Sequence, residues 1–314
     1  MSEAECESRF EALRFASSGG EPFCVWCQCP VVYRITRKVK NRKTGTITQR
    51  RLFKCAKCAK QFSVTSGTEF HSRKLSFKKI MLATLLWANG SAGQAALQLR
   101  RDLRCNHKTA WLLEHRVRDA MTSYMAGRQL SGPIETDSTS IGGKVRKANR
   151  AADRKGQPRR HMEKVTNLSV LRERGRRGRV VPFLGDEAKL VRAIHTLVDA
   201  KAEFFVDEHP AWNALFAQFP VRQIKHKVQY SDLRGTSTNL AESYFSRFKR
   251  MYNGIYRHFS PQYAQAYNGE CAFREEHRGL SNGEQFILML TGALNHPPST
   301  RWRGYYQRTR RKAA

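Results

Sequence analysis

Three acidic residues stand where a protein could use them for phosphoryl transfer. Asp137 lies in an alternating β-branched run, Asp207 ends a short apolar run, and Glu242 lies in an amphipathic helical segment. Open α/β sheets place working groups at strand ends and at adjacent helix starts. Carboxylates in such positions can hold two divalent ions, which activate a water or hydroxyl and stabilise the leaving oxygen. The three residues are therefore candidates for a catalytic metal site.

Lys249 is the candidate basic companion of these carboxylates. On a helix, Glu242 and Lys249 are about 700° apart and project from nearly one side, so the lysine could neutralise nearby phosphate. Other roles are open from spacing alone, because a chain with 26 acidic residues offers many trios. Asn239 and Glu242 could be an N-cap and its N3 partner, and Asp207 could cap a helix before His209.

Four cysteines form two Cys-x-x-Cys pairs, Cys24 with Cys27 and Cys55 with Cys58. Two such pairs predict a zinc ribbon, in which four thiolates hold one structural Zn²⁺ tetrahedrally. Small buried thiols or a redox pair are the alternatives, and the presence of two pairs makes both weaker. Cys29 is expected not to be a ligand, because Cys24 and Cys27 already have the spacing of a zinc knuckle.

The charge balance indicates a polyanionic partner. Lys and Arg total 57 against 26 Asp and Glu, a formal net charge of +31, and nucleic acid is the commonest partner of such a chain. Basic runs lie at 34–51, 144–179 and 301–312. The first contains Arg42 and Lys43 and no acid, which predicts a basic hairpin tip facing phosphate, with a merely solvated loop as the alternative.

Composition also excludes several classes of protein. Hydrophobic residues make up 40% of the chain, too many for a predominantly disordered protein. The first ten residues carry three Glu and no apolar signal-peptide core. The longest apolar runs, at 80–88 and 286–290, are far too short to span a bilayer. We therefore expect a soluble cytoplasmic protein with no membrane partner.

The residues after the second cysteine pair have a helical period. One helix is predicted from Ser76, a second near Ser91, where Ser91–Gln94 has the form of a capping box, and a third over 110–121. The last two have helix-turn-helix proportions, with 106–109 at the entrance of the recognition helix. A plain helical subdomain is the alternative, and basic residues such as Lys108 and Arg116 favour DNA binding.

Beyond a linker at 127–133 the pattern changes to that of strands. Strand-like runs lie at 134–141, 165–171, 180–184 and 203–207, with a helical run at 187–200 before the last of them. This β, β, β, α, β order predicts an α/β domain with a mixed sheet. Part of the segment 144–179 must form a long basic loop.

Several further motifs follow the paired cysteines in a fixed order. They are FSVTSGTEF at 62–70, KTAW at 108–111, IETD at 134–137, IGGK at 141–144, VDEH at 206–209, NLAE at 239–242, FKR at 248–250, GIYRHFS at 254–260 and ECAFR at 270–274. With these motifs the chain resembles the zinc-ribbon DDE transposases of bacterial insertion sequences, the ISXO-type family, from Cys24 to about Arg278. The resemblance implies an RNase H-like domain in which Asp137, Asp207 and Glu242 hold two Mg²⁺ or Mn²⁺ ions and Lys249 is their basic companion.

Three positions depart from the family pattern. Ser138 stands where the family commonly has Glu, Tyr244-Phe245 replaces a Phe-Trp pair, and Glu275-Glu276 replaces an aromatic-Asn ending. None of these departures removes a metal ligand. Some relatives emphasise an Asn near the third acidic position, so a contribution from Asn239 is open.

We therefore expect an α/β multidomain chain. Its parts are a flexible N-terminus at 1–20, a zinc ribbon at 21–70, a helix-turn-helix domain at 71–128, an RNase H-like catalytic domain with a mixed sheet at 133–295 and a basic tail at 296–314. The resemblance implies a transposase that binds the terminal inverted repeats of its element, cleaves them and joins them to target DNA. It implies a dimer or larger assembly during synapsis, at the bacterial nucleoid.

Two other functions are compatible with the same features. The chain could be a zinc-ribbon and helix-turn-helix DNA-binding regulator derived from a transposase and without catalysis. It could also be a nuclease that cleaves DNA without joining it. The intact carboxylates argue against the regulator, because a protein that only binds DNA gains nothing from acids next to phosphate.

Overall fold

The computed structural model describes residues 1–40, 45, 47–125, 129–145, 147–155, 160–175, 178–225, 228, 231–232 and 235–306. Arg42 and Lys43 of the predicted hairpin tip lie outside these residues, as do parts of the 127–133 linker, of the 144–179 run and of the basic tail. The chain divides into two compact units. One unit contains Met1–Asn89, Ala96–Ala120 and the chain from Ser281, and the other contains Gly90–Ala95 and Met121–Leu280.

A small antiparallel sheet in the first unit contains Cys55, the last residue of one of its strands. Its strands, in the spatial order β1-β2-β3, are β1 (Val32–Lys40), β2 (Ile47–Cys55) and β3 (Gln61–Phe62). β1 and β2 pair along their whole length, from Val32 opposite Cys55 to Lys40 opposite Ile47. The described basic side chains of this hairpin, such as Arg37, Lys38 and Arg50, are exposed. The hairpin therefore presents its positive charge to solvent.

The N-terminal residues form a packed helix, α1 (Glu3–Arg14), where we expected a flexible segment. Ser2 and Glu5 form a reciprocal capping box at its start. Phe10 is fully buried, with its ring 4.8 Å from that of Phe77 and 5.9 Å from that of Phe70. Few apolar residues face inward, so the amphipathic signal is weak, and the cap and this aromatic cluster stabilise the helix instead.

Four further helices lie wholly or largely in the first unit, and they are α2 (Phe77–Asn89), α3 (Ala96–Asp102), α4 (His107–Met125) and α8 (Asn282–Asn295). α3 begins at Ala96 rather than near Ser91. Gly93 adopts φ +100°, which a helix cannot contain, so the chain enters α3 only after this turn. We expected 282–295 to belong to the catalytic domain, but α8 groups with the first unit.

Glu69 fixes the segment after α8 to the first unit. Its Oε1 lies 2.8 Å from Nδ1 of His296 and accepts a hydrogen bond of 3.1 Å from the N–H of Ser299. The Glu69 side chain is almost fully buried. Burial raises the pKa of Glu69 to about 8. The motif FSVTSGTEF at 62–70 therefore has a structural role in this protein, because its Glu69 binds the segment after α8.

The second unit is built on a five-stranded mixed sheet in the order β6-β5-β4-β7-β8. The strands and helices of this unit are β4 (Pro133–Lys144), β5 (Arg160–Glu173), β6 (Val180–Leu184), α5 (Glu187–Leu197), β7 (Glu203–Val206), β8 (Val221–Gln223), α6 (Asn239–Arg250) and α7 (Ala264–His277). β4 and β6 pair antiparallel with β5, and β7 pairs parallel with β4 and β8. The predicted mixed sheet is confirmed.

An apolar core supports one face of this sheet. Ile134, Leu190, Ile194 and Phe204 pack together and are almost completely buried. Leu190 and Ile194 come from α5, one helical turn apart, as the apolar period at 187–200 predicts. The alternation of β4 then leaves Glu135 and Asp137 on the opposite face from Ile134. No helix in the described part of the chain is long and apolar enough to cross a membrane.

Candidate active site and metal centre

Strand register brings Asp137 level with Asp207. β4 and β7 are parallel neighbours, and Glu135 is opposite Phe205 in their last recorded pair. Two residues further along each chain, the same register reaches Asp137 on β4 and Asp207 just after β7. Neighbouring strands lie about 4.8 Å apart. The two carboxylates therefore lie level with each other on neighbouring strands, with Asp207 directly after the end of β7, as predicted, and Asp137 within β4 instead of at its end.

The Asp207 carboxylate is held from one side. Its Oδ1 accepts hydrogen bonds from Nε1 of Trp212 at 2.7 Å and from the N–H of His209 at 3.1 Å. His209 itself caps the following short helical turn, with its ring accepting from the N–H of Ala211 at 3.4 Å. The capping role considered for Asp207 therefore belongs to His209. Asp207 is left half-buried and fixed in orientation.

The Asp137 carboxylate is half-buried among like charges. Its Oδ1 accepts a hydrogen bond of 2.7 Å from the N–H of Ser138. Burial raises the pKa of Asp137 to about 6. The nearby charges of Asp207 and Glu242 contribute to this raised pKa, and the Ser138 hydrogen bond opposes them. Asp137 is therefore within electrostatic range of both other predicted carboxylates.

Glu242 lies in the first turn of α6, on the exposed side. Thr238 is the N-cap and Asn239 is the first helical residue, so the alternative of an Asn239 cap with Glu242 at N3 is wrong for this helix. Ala241 and Phe245 are buried, as the apolar stripe predicts. Lys249 is exposed near the C-terminal end of the same helix.

Sequence reasoning missed Glu187, a fourth carboxylate near Asp137. It is the first residue of α5, and its Oε1 accepts a hydrogen bond from the hydroxyl of Ser138. Its charge also contributes to the raised pKa of Asp137. Ser138 therefore contacts an acid from another element at the position where the family commonly has its own Glu. An acidic residue at the first helical position after a strand was the only available sequence signal.

The other two departures from the family pattern also have contacts. The hydroxyl of Tyr244, which is fully buried, donates to Oδ1 of Asn268 at 2.6 Å. The buried Glu275 carboxylate accepts hydrogen bonds of 2.6 Å from Arg172 and from Arg247. Both side chains thus form satisfied polar contacts inside the second unit, which is the requirement for burying such groups.

Two motifs near the end of the domain meet each other. The Tyr256 hydroxyl lies 2.8 Å from Oε1 and 2.9 Å from Oε2 of Glu270. Glu270 is fully buried and also accepts a hydrogen bond of 3.0 Å from Nε of Arg274. The rings of Phe259 and Tyr267 stack at 4.2 Å. The motifs GIYRHFS at 254–260 and ECAFR at 270–274 therefore pack against each other.

The four predicted zinc ligands converge in the first unit. The sulfur atoms of Cys24 and Cys58, and those of Cys27 and Cys55, are 3.6 Å apart. Tetrahedral zinc with Zn–S bonds of about 2.3 Å needs sulfurs about 3.8 Å apart, whereas a disulfide needs about 2.05 Å. Among the described residues, this is the only group of three or more Cys, His, Asp or Glu ligands whose atoms all lie within 4.8 Å.

The two cysteine pairs have the same backbone geometry. The residue after each pair, Gln28 and Ala59, has a φ of 59° and 57° respectively. Each of these residues donates its N–H to the carbonyl of the first cysteine in its pair, at 2.9 and 3.1 Å. Matching left-handed turns are what two knuckles closing on one ion require. The cluster fits a zinc ribbon, and Cys29 stays outside it.

The acidic donors fit a hard divalent cation. Carboxylate oxygens are the ligands that Mg²⁺ and Mn²⁺ prefer. The hydrogen bonds to Asp137 and Asp207 all reach Oδ1, and within the described residues neither Oδ2 accepts one. One oxygen of each aspartate thus anchors the side chain while the other stays available. The mutual repulsion of these acids would be relieved by bound positive charge.

Comparison with known proteins identifies the family of one part of the chain. Residues 129–276 match the family described as the ISXO2-like transposase domain. No curated protein matches the chain. Among solved structures, the chain is similar to one in the crystal structure of the Mos1 strand transfer complex, with 14% identity and a TM-score of 0.27 over 68% of this chain and 78% of that one, a likeness too low to carry an argument. The segment that matches the ISXO2-like transposase domain family holds all three candidate carboxylates, Asp137, Asp207 and Glu242.

Proposed function

We propose that this protein is an insertion-sequence transposase that binds the terminal inverted repeats of its element and catalyses metal-dependent DNA cleavage and strand transfer. The observation that carries the proposal is the β4–β7 register, which brings Asp137 level with Asp207, with the charge of Glu242 acting on Asp137. The match of this segment to a transposase domain family supports it. The strand order β6-β5-β4-β7-β8 supports an RNase H-like fold.

The catalytic roles follow from where each side chain lies. Asp137, Asp207 and Glu242 would hold two divalent ions. When bound, Mg²⁺ or Mn²⁺ supplies an activated water or 3′-hydroxyl and stabilises the leaving oxygen. Lys249, exposed on the same helix as Glu242, neutralises phosphate. Whether Asn239, also exposed on that helix, assists is a further question for mutagenesis.

DNA recognition belongs to the first unit in this proposal. The cysteine cluster would hold one structural Zn²⁺ and stabilise the basic hairpin of β1 and β2. α3 and α4 would act as a helix-turn-helix, with the exposed Lys108 at the entrance of α4. These elements, together with the net charge of +31, give the protein the electrostatic means to bind two DNA ends.

Synapsis of two element ends requires at least two active sites close together. We therefore propose a dimer or larger assembly during the reaction, at the nucleoid in the cytoplasm. We propose the zinc ribbon at 21–70 and the helix-turn-helix domain at 71–128, the limits predicted from the sequence. For the catalytic domain we propose 133–280, since α8 groups elsewhere.

The test incubates the purified protein and Mg²⁺ with DNA that carries the repeats flanking its gene. The proposal expects cleavage at the element ends and joining of the new 3′ ends to a second DNA. Cleavage without joining would reduce the protein to a nuclease. Specific binding without either product, in Mg²⁺ and in Mn²⁺, would overturn the proposal in favour of a DNA-binding regulator.

A further inference from the structure

We propose that Glu135 is a positioning residue that, with Arg174, holds the helix carrying Glu242 against the strand carrying Asp137. The inference rests on the proposed function, because it concerns the same carboxylates. Glu135 is on β4, two residues before Asp137, and 1% of its surface is exposed. An acid buried this deeply needs partners that compensate for its lost hydration. Its partners lie on α6 and at the end of β5.

One oxygen of Glu135 caps α6. Its Oε2 accepts hydrogen bonds from the N–H of Leu240 at 2.7 Å and of Ala241 at 3.3 Å. These groups are the second and third of the helix, and the side chain of the N-cap residue, Thr238, makes no capping bond. The first N–H groups of a helix have no partner within the helix, and the positive end of the helix dipole favours an anion there. Glu135 supplies both the acceptor and the charge from another element.

The other oxygen of Glu135 binds Arg174. Nε of Arg174 donates to Oε1 of Glu135 at 2.8 Å. The same guanidinium donates to the carbonyls of Gly235 and Ser237, each at 2.8 Å, and therefore also holds the chain that leads into α6. It lies 3.5 Å from the ring centre of Phe205 on β7. A planar donor with five N–H groups suits several fixed acceptors at once.

The residues joined by this pair share the same sequence spacing from the proposed metal ligands. Glu135, Phe205 and Leu240 each precede a proposed metal ligand by two residues, namely Asp137, Asp207 and Glu242. Arg174 contacts Glu135 and Phe205, and Glu135 contacts Leu240. The pair thus connects the three elements directly beneath the carboxylates. Sites for metal catalysis need their ligands fixed within about 0.5 Å, and this layer is placed to fix them.

The experiment compares Glu135→Gln and Glu135→Ala with a matched control, Glu270→Gln. Glu270 is also a buried acid that binds an arginine, at 3.0 Å, but it contacts Tyr256 and Arg274 on other elements. Gln at 135 keeps an acceptor and loses the charge, while Ala loses both. Each protein is assayed for thermal midpoint, terminal-repeat binding, amide hydrogen exchange at 240 and 241, and Mg²⁺ binding by calorimetry.

We expect amide exchange at 240 and 241 to become about tenfold faster in Glu135→Ala, and less so in Glu135→Gln, because the helix cap is lost. Mg²⁺ affinity should also fall severalfold, more in Glu135→Ala than in Glu135→Gln. Glu270→Gln should leave both amide exchange at 240 and 241 and Mg²⁺ affinity unchanged. Repeat binding should stay at the level of the parent. Parent-like exchange or parent-like Mg²⁺ affinity in a folded Glu135→Ala protein would overturn the proposal.

Three further outcomes separate this proposal from its alternatives. If Glu135→Ala does not fold, Glu135→Gln decides alone, and an Mg²⁺ affinity equal to that of the parent would overturn the positioning role. If the parent binds Mg²⁺ but cleaves no DNA, the proposed function fails while exchange and calorimetry still decide on Glu135. An equal loss of Mg²⁺ affinity in Glu270→Gln would show general destabilisation instead of positioning.

Discussion

At the scale of single residues, the arrangement of charge around Asp137 supports the proposed metal site. A buried acid in a structural role is normally paired with a cation, as Glu275 is with Arg172 and Arg247. Asp137 instead has other acids near it, and its pKa is raised to about 6. Fixed repulsion of this kind costs stability, and functional sites are where proteins retain it.

Replacing the acids singly tests this interpretation. Asp137→Asn, Asp207→Asn and Glu242→Gln keep the side-chain shape, remove a charge that Mg²⁺ requires, and reduce repulsion of phosphate. We expect DNA binding to persist and cleavage to fall by several orders of magnitude in each variant. Lys249→Ala should give a smaller defect, because a phosphate-neutralising charge is easier to replace than a ligand. Gel assays of cleavage and of binding measure both effects.

Asn239→Ala is the control for this series. If Asn239→Ala abolishes cleavage while Glu242→Gln cleaves normally, the third ligand is Asn239, three residues before Glu242. Parent-like cleavage in all three carboxylate variants would refute the enzyme and leave a DNA-binding protein.

At the scale of elements, the strongly periodic segments could be predicted and the tertiary contacts could not. β6 occupies 180–184 as its apolar run predicts, and α5 begins at Glu187 as expected. β8 has only three residues and no sequence pattern of its own. The start of α3 was misplaced because a capping-box pattern at Ser91 does not reveal that Gly93 adopts a positive φ.

In the candidate site, too, some residues could be predicted from local sequence patterns and others could not. The three carboxylates could be named from strand ends, one helix face and the family motifs. Glu135 could not be assigned a role, because its capping partners on α6 are 105 and 106 residues away in sequence. Glu187 was missed for the same reason, since only the fold brings α5 to Ser138. Local sequence patterns indicate the proposed metal ligands, whereas the residues that position those ligands depend on contacts between segments that are distant in sequence.

The cysteine cluster gives a prediction for the ribbon. Replacing Cys55 and Cys58 together by Ser should remove one zinc per chain and unfold the hairpin, because so small a sheet buries too little apolar surface without metal. Cys29→Ser should keep both zinc and fold. Metal analysis and circular dichroism measure the two outcomes. A double variant that retains zinc would refute the four-cysteine site.

Glu69 gives a prediction about pH. Its pKa in the folded protein is about 8, against an ordinary value of 4.5, so the folded state binds this proton more tightly than the unfolded state. Its stabilising contribution is complete below pH 4.5 and is lost as the pH rises to 8, which amounts to a few kcal/mol. Urea unfolding from pH 5 to 8 should show this loss in the parent and not in Glu69→Gln. Stability that rises over this range only in the parent would indicate an ionised Glu69 paired with charged His296.

At the scale of the whole molecule, the excess of positive charge is the dominant property. The positive side chains behind the net charge of +31 repel one another in the free protein. This repulsion decreases when DNA phosphates bind and replace the counterions. The exposed basic residues of the β1–β2 hairpin show that the first unit carries part of this charge. DNA should therefore stabilise the protein as well as bind to it.

Affinity for nonspecific DNA should fall steeply with salt. Each phosphate neutralised contributes about −0.9 to the slope of log affinity against log salt. Fluorescence anisotropy between 50 and 300 mM salt, roughly the range over which such slopes are measured, gives the number of contacts. Removing four charges of the hairpin, Arg37, Lys38, Lys40 and Arg50, should make the slope shallower. An unchanged slope would show that the hairpin does not contact DNA.

The parallel pairing of β4 with β7 has a consequence for how copies of this gene decay. An in-frame insertion of one codon between residues 135 and 137 would turn Asp137 to the opposite face of the sheet, although every acid would still be encoded. The same insertion in the exposed turn around Arg150 would leave the register untouched. A copy can therefore lose its proposed active site although all of its acidic codons are still present. Inactive copies should be recognised by the distance between Glu135 and Asp137 as well as by the residues themselves.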